Sequence, residues 1–155
     1  MSTIIPEMIT VLSIKVIKSN LQTTDEFLNN PIKNVGVEIQ LGQNTAFNLE
    51  KKNIRIRLNI NMQGMLNETE KTGLSAEYCI EFHIHVDNLE QFLIEKEGNK
   101  IVDRKLGGTL IGIVYSSARG IILERTYSTY FKGVILPVID PNLLLETKEE
   151  PKGIL

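Results

Sequence analysis

The stretch from Leu110 to Leu123 is apolar on nearly every side of the helix it predicts. Its apolar residues are Leu110, Ile111, Ile113, Val114, Tyr115, Ala118, Ile121, Ile122 and Leu123. At about 100° per residue they spread round most of the circumference instead of forming one stripe. A surface helix of a two-layer domain buries one side only, so this helix needs cover on two. A chain of 155 residues has room for one core. A second copy of the chain is therefore the expected second cover. Leu110, Val114, Ala118, Arg119 and Ile122 are the residues expected in that self-association interface. Arg119 needs a partner there, because an unpaired buried guanidinium is costly. Glu124 or a carboxylate from another subunit is the expected one.

Gly107, Gly108 and Gly112 precede or open this run. Glycine costs about 1 kcal/mol per site in a helix interior relative to alanine. A bent or extended lead-in is expected, with the regular helix starting near Gly112. A second, short helix is signalled by Asp140 as N-cap and Pro141 at the first helical position, followed by Asn142-Leu143-Leu144-Leu145-Glu146. The charged residues 146–155 are expected to form a flexible tail.

Upstream, the period changes from 3.6 to 2. Asn53–Met62 alternates Ile54, Ile56, Leu58, Ile60 and Met62 against Arg55, Arg57, Asn59 and Asn61. Ser75–Val86 alternates Tyr78, Ile80, Phe82, Ile84 and Val86 against Glu77, Cys79, Glu81, His83 and His85. Val35–Leu41 follows the same rule, and Met8–Lys18 is rich in β-branched residues. Such alternation marks strands with one buried and one wet face, so a four-stranded antiparallel sheet covered on one side is expected. The segment 64–73, Gly-Met-Leu-Asn-Glu-Thr-Glu-Lys-Thr-Gly, has hairpin chemistry. The link around Pro31 reads as a longer loop, and Asp87–Arg104 as a short helix or a strand end. The fold class is α+β, in one domain spanning 1–155.

Composition excludes several functions. A net charge of −2 does not suit nucleic-acid binding, which needs a concentrated basic surface. One cysteine rules out an intrachain disulfide framework. The start Met1–Lys18 lacks a basic n-region, and the window Leu106–Leu123 is short for a span and carries Arg119. No membrane insertion and a cytoplasmic location are expected. No phosphate-cradling loop, Ser-His-Asp order or catalytic carboxylate pair stands out, so neither an enzyme nor a cofactor is expected.

The second half resembles the SecB export-chaperone family. Leu106-Gly107 precedes an apolar run, and Ser117-Ala118-Arg119 lies in the long helix. Leu136-Pro137-Val138 and the Asp-capped Leu143-Leu144-Leu145 then follow at matching spacing. The layout matches over about residues 8–146 and the motifs over about 106–145. The resemblance implies a dimer whose sheets join, and a tetramer that traps the long helices between joined sheets. It implies an ATP-independent holdase that binds unfolded polypeptides, preproteins for export among them, and hands them to the motor SecA. Asp25, Glu26 and Glu81 are the residues that would contact SecA. Against that partner, Asn20 stands near an expected acid, and the tail lacks the family's basic metal-binding segment. Some relatives instead serve dedicated clients, including antitoxins of toxin–antitoxin systems.

A holdase needs exposed apolar residues on adaptable segments. The candidates for client binding are Phe27, Leu28, Phe47, Leu49, Tyr130 and Phe131 in loops, with Leu143 and Leu144 on the terminal helix and Tyr127 beside them. Each of these also reads as an ordinary core cap or oligomer contact. A small oligomeric ligand- or metal-binding protein is the other alternative. Cys79, Glu81, His83 and His85 share a strand face, but a His-x-His pair without a dedicated fourth ligand is weak, and no metal site is assigned. Arg55 and Arg57 are expected to pair with Glu77 or Glu81 across the hairpin.

Overall fold

A computed structural model describes residues 2–33 and 35–146. The expected tail 146–155 lies, apart from Glu146, outside the described residues.

The alternating segments form one antiparallel sheet of β1 (Ile9–Thr23), β2 (Gly36–Asn48), β3 (Asn53–Met65) and β4 (Lys71–Val86). The strand order is β1-β4-β3-β2, so β1 and β2 are the edges. The two most strictly alternating strands, β3 and β4, are the central pair. Register puts Ile54 opposite Ile84, Ile56 opposite Phe82, Leu58 opposite Ile80 and Ile60 opposite Tyr78, all on one face. These side chains are buried. Full burial of an aliphatic or aromatic side chain contributes about 1.5–3 kcal/mol, so this face supplies much of the core.

All four strands run longer than their alternation predicts. β2 continues past Leu41 through Phe47, which therefore lies in a strand and not in a loop. The β1–β2 link is not loop throughout. Thr24 accepts a hydrogen bond from the Phe27 N–H at 3.2 Å and caps a short helix α1 (Asp25–Asn29). The ambiguous segment after β4 holds a single 3₁₀ turn (Leu89–Phe92) and a hairpin of β5 (Leu93–Lys96) and β6 (Asn99–Val102).

Helix α2 (Arg104–Tyr127) starts eight residues before Gly112, capped by the Asp103 carboxylate on the Lys105 N–H at 3.1 Å. The glycines do not loosen its start. They admit α3 (Pro141–Glu146). A Cβ on Gly107 would lie 2.9 Å from Leu145 Cδ2, and one on Gly108 2.6 Å from Asn142 Oδ1. α3 is capped as its sequence predicts, with the Asp140 carboxylate accepting from the Asn142 N–H at 2.9 Å. Its far end is fastened to the sheet by Gln43, whose buried amide donates to the Leu145 carbonyl at 2.9 Å.

The second cover of α2 comes from within the chain. Leu106, Leu110, Val114, Ala118 and Ile122 are buried in the core shared with the sheet. The adjoining side packs on α3 and on the segment before it: Tyr115 donates its hydroxyl to the Pro137 carbonyl, and Arg119 Nε donates to the Leu136 carbonyl at 3.0 Å. Leu110, Val114, Ala118 and Ile122 are thus core of one protomer and not surface offered to a second copy. Arg119 is satisfied by a backbone carbonyl. α2 is long and apolar enough to cross a membrane by length and composition, and its most apolar side faces this core.

Candidate functional site

The chain leaving α2 reverses tightly. Buried Thr126 donates its hydroxyl to the Ile122 carbonyl and accepts the Val134 N–H, both at 2.7 Å. Lys132 (φ 58°) and Gly133 (φ 95°) take left-handed conformations. A Cβ at Gly133 would lie 3.3 Å from Leu123, so glycine suits the turn on both grounds.

Val134–Ile139 then runs back beside α2 through the Leu136 and Pro137 carbonyl contacts. Its burial alternates from Val134 to Pro137 and then breaks at exposed Val138, and it belongs to no sheet. Val134 and Leu136 point into the core. Ile135 and Val138 are 69% and 84% exposed, with Tyr127 and Leu143 exposed on the elements that flank the segment. Isolated surface aliphatics are ordinary, but several on one returning segment and its flanks make a candidate binding surface.

The residues expected to bind clients divide into two groups. Leu28, Phe47, Leu49, Tyr130 and Leu143 are exposed. Phe27, Phe131 and Leu144 are not, being 4%, 7% and 5% exposed in the core. That corrects the expectation that all eight form open surface. Phe27 is turned inward by α1, and its ring meets Tyr130 edge to face. Ile135 and Val138, the most open aliphatics here, were missed by the sequence reading. The sequence shows only a continuous apolar run, Val134–Val138, between Gly133 and Asp140, and no periodicity in it marks both residues as exposed.

A second apolar area lies along β1. Val11, Leu12, Ile14 and Ile17 are all exposed. Leu12 and Ile17 fall at the two register shifts of the β1–β4 ladder. α3 contacts α2 and β2 and so lies on the side of the sheet away from β1. The flank of α2 carrying Ile113, Ser117 and Ile121 is turned away from α3, and its isoleucines are only half-buried.

The opposite face of the sheet is polar. Glu81 accepts from Arg57 Nε at 2.7 Å and sits 2.7 Å from His83 Nε2. These partners hold its carboxyl below the usual glutamate range, the hydrogen bond to His83 most of all. Glu77 pairs with Lys18. Arg55 does not join the expected cross-strand pairing. It reaches Asn44 at 3.3 Å, while its buried Nε has no hydrogen-bond partner. Burial, then the neighbouring Arg57, lowers its pKa. His85 sits 2.9 Å from both Asn53 and Asp87, and Cys79 is buried. Among the described residues no cluster of three or more His, Cys, Asp or Glu is placed to hold a metal ion. Of the acids expected to face SecA, Asp25 and Glu26 are exposed in the first turn of α1. Glu81 is occupied by its neighbours.

No protein-family model and no curated protein matches this sequence. Solved structures do. The Mycobacterium tuberculosis SecB-like chaperone Rv1957, in complex with a ChAD peptide from the HigA1 antitoxin, aligns over 86% of this chain and 91% of its own, with a TM-score of 0.57 and 8% identity. The fold is that of a SecB-like chaperone. A Streptococcus agalactiae protein of unknown function aligns over 84% of this chain and 97% of its own, with a TM-score of 0.42 and 12% identity. The four-stranded sheet, long helix and short terminal helix expected from the sequence are therefore a SecB-like arrangement.

Proposed function

We propose that this chain is a single SecB-like domain, residues 1–155, that acts in the cytoplasm as an ATP-independent, non-enzymatic holdase for unfolded polypeptides. The observation that carries the reading is the returning segment with Ile135 and Val138 turned outward on a fixed scaffold. Apolar side chains without a hydrogen-bonded pocket suit clients of varied sequence. Leu28, Phe47, Leu49, Tyr130 and Leu143 extend the contact area. The exposed face of β1 supports self-association as a dimer or tetramer, with Val11, Leu12, Ile14 and Ile17 as the contact.

Two client ranges follow. Preproteins bound for export would require transfer to SecA through Asp25, Glu26 and Glu81. A dedicated client without SecA coupling has more support, since Glu81 is already bound by Arg57 and His83. The structural neighbour, moreover, was solved with an antitoxin peptide. A metal- or ligand-binding role for the Cys79–His85 face has less support, because both histidines are engaged by neighbouring side chains.

The test is suppression of heat-induced aggregation of citrate synthase by the purified chain, with molar mass measured by light scattering. The wild type is expected to suppress aggregation, and Ile135→Ser with Val138→Ser to lose most of that effect at unchanged molar mass. No suppression by the wild type would overturn the holdase reading. Suppression untouched by the double change would move the client surface elsewhere. Ile14→Asp with Ile17→Asp is expected to reduce the molar mass to that of one chain. A monomeric wild type would overturn self-association.

A further inference from the structure

We propose that the outer, polar face of the sheet docks an acidic segment of a partner polypeptide around Arg55 and Lys15, independently of the holdase reading above. The register sets the side chains of this face in rows that cross all four strands. One row is Ser13, His83, Arg55 and Ala46, and the next is Lys15, Glu81, Arg57 and Asn44. Lys18 follows on β1, opposite Cys79. Two of these cations are matched, Arg57 by Glu81 at 2.7 Å and Lys18 by Glu77. Lys15 and Arg55 form no ion pair among the described residues. The whole chain has a net charge of −2, so this part of the sheet is opposite in sign to the protein that carries it.

Arg55 is the cation most in need of an acceptor. Its Nη2 reaches Asn44 Oδ1 at a long 3.3 Å, and its buried Nε has no hydrogen-bond partner among the described residues. The like charge of Arg57 beside it is only partly offset by Glu81. A carboxylate set against the guanidinium takes its N–H groups in parallel and balances the charge. Exposed Lys15 lies two strands across and two residues along from Arg55, about 12 Å away by strand spacing. In an extended peptide, side chains two and four residues apart share one side, at about 7 and 13 Å. Aspartates or glutamates at alternate positions therefore reach both cations at once. Glu38 and Glu77 stand at the other end of the face, beside Lys71, and leave it no surplus of positive charge. Two unmatched cations are too few for a nucleic acid, whose affinity grows with each phosphate neutralised.

The probe is a fluorescent peptide of alternating glutamate and serine, titrated into the full chain at low salt and followed by anisotropy. It is expected to bind about tenfold more tightly than a peptide of alternating lysine and serine, and to weaken as salt is added. Arg55→Met is expected to lower its affinity by about tenfold without lowering the melting temperature. Lys15→Met, at an exposed position that folding does not depend on, is expected to lower it by about two- to fivefold. Lys100→Met makes the same charge change on the β5–β6 hairpin, outside this sheet, and is expected to leave the affinity unchanged. No binding of the glutamate peptide, or tighter binding of the lysine peptide, would overturn the proposal. Affinity untouched by both Arg55→Met and Lys15→Met, or lowered equally by Lys100→Met, would overturn it too. An oligothymidylate that binds more tightly than the glutamate peptide would assign the patch to nucleic acid and overturn the polypeptide partner. The aggregation assay judges the holdase reading separately.

Discussion

Phe27 and Tyr130 meet with ring centroids 5.3 Å apart and planes at 86°, joining the β1–β2 link to the turn after α2. An edge-to-face pair of this kind adds about 0.5–1.5 kcal/mol beyond burial. The same two segments are tied by Lys132, whose ammonium donates to the Lys33 carbonyl at 2.7 Å. A residue that looked like client-binding surface thus fastens two distant parts of the chain. Phe27→Ala is expected to destabilise the protein by about 3–5 kcal/mol in urea unfolding. Leu28→Ala, at its exposed neighbour, is expected to stay within about 0.5 kcal/mol of wild type. Equal, small effects at both positions would return Phe27 to the surface.

The close approach of α3 to α2 depends on Gly108. Gly108→Val places a branched side chain where Asn142 Oδ1 now lies, 2.6 Å from a Cβ at that position. Alanine-like gains in helix propensity are smaller than the cost of overpacking, about 1–3 kcal/mol. Residues 141–146 are expected to exchange their amides faster, and the Gln43 side-chain amide to lose its protection. Unchanged exchange there would mean that α3 is not seated through this contact.

Arg55 and Arg57 are predicted to behave oppositely. Arg57→Met leaves Glu81, whose side chain is only 13% exposed, with one charged partner fewer. A loss of about 1–3 kcal/mol is expected. Arg55→Met removes a guanidinium whose buried Nε has no hydrogen-bond partner. Its melting temperature is expected to equal or exceed that of the wild type. A Tm drop on Arg55→Met as large as that on Arg57→Met would show that Arg55 is fully compensated.

Acid should expose the Glu81 network. The Glu81 carboxyl titrates lower in the folded chain than in the unfolded one. Its contribution is therefore fully present above the unfolded value, about 4.3, and is lost as pH falls through the folded value. Urea midpoints measured from pH 7 down to pH 3 are expected to fall less steeply in this acid range for Glu81→Gln than for the wild type. Parallel curves for the two proteins would show that Glu81 carries no linkage.

Local pattern was enough to establish the elements whose signal is local. The alternation of Asn53–Met62 and Ser75–Val86 identified two strands and assigned their buried faces, because side chains on a strand point to opposite sides in turn. Asp140 and Pro141 marked the start of α3, because a cap and its first N–H groups lie within one turn. The ordered motifs from Leu106 to Leu145 pointed to the SecB-like arrangement. Tertiary structure alone decided the strand order β1-β4-β3-β2 and where the cover of α2 comes from. The glycine cost before Gly112 was outweighed by packing against Leu145 and Asn142, which are distant in sequence. The candidate surface was legible at Tyr130 and Leu143 but not at Ile135 or Val138, and it wrongly included Phe27. Hydrophobicity is a property of one side chain, whereas burial depends on which remote segment, such as the turn holding Tyr130, is brought against it.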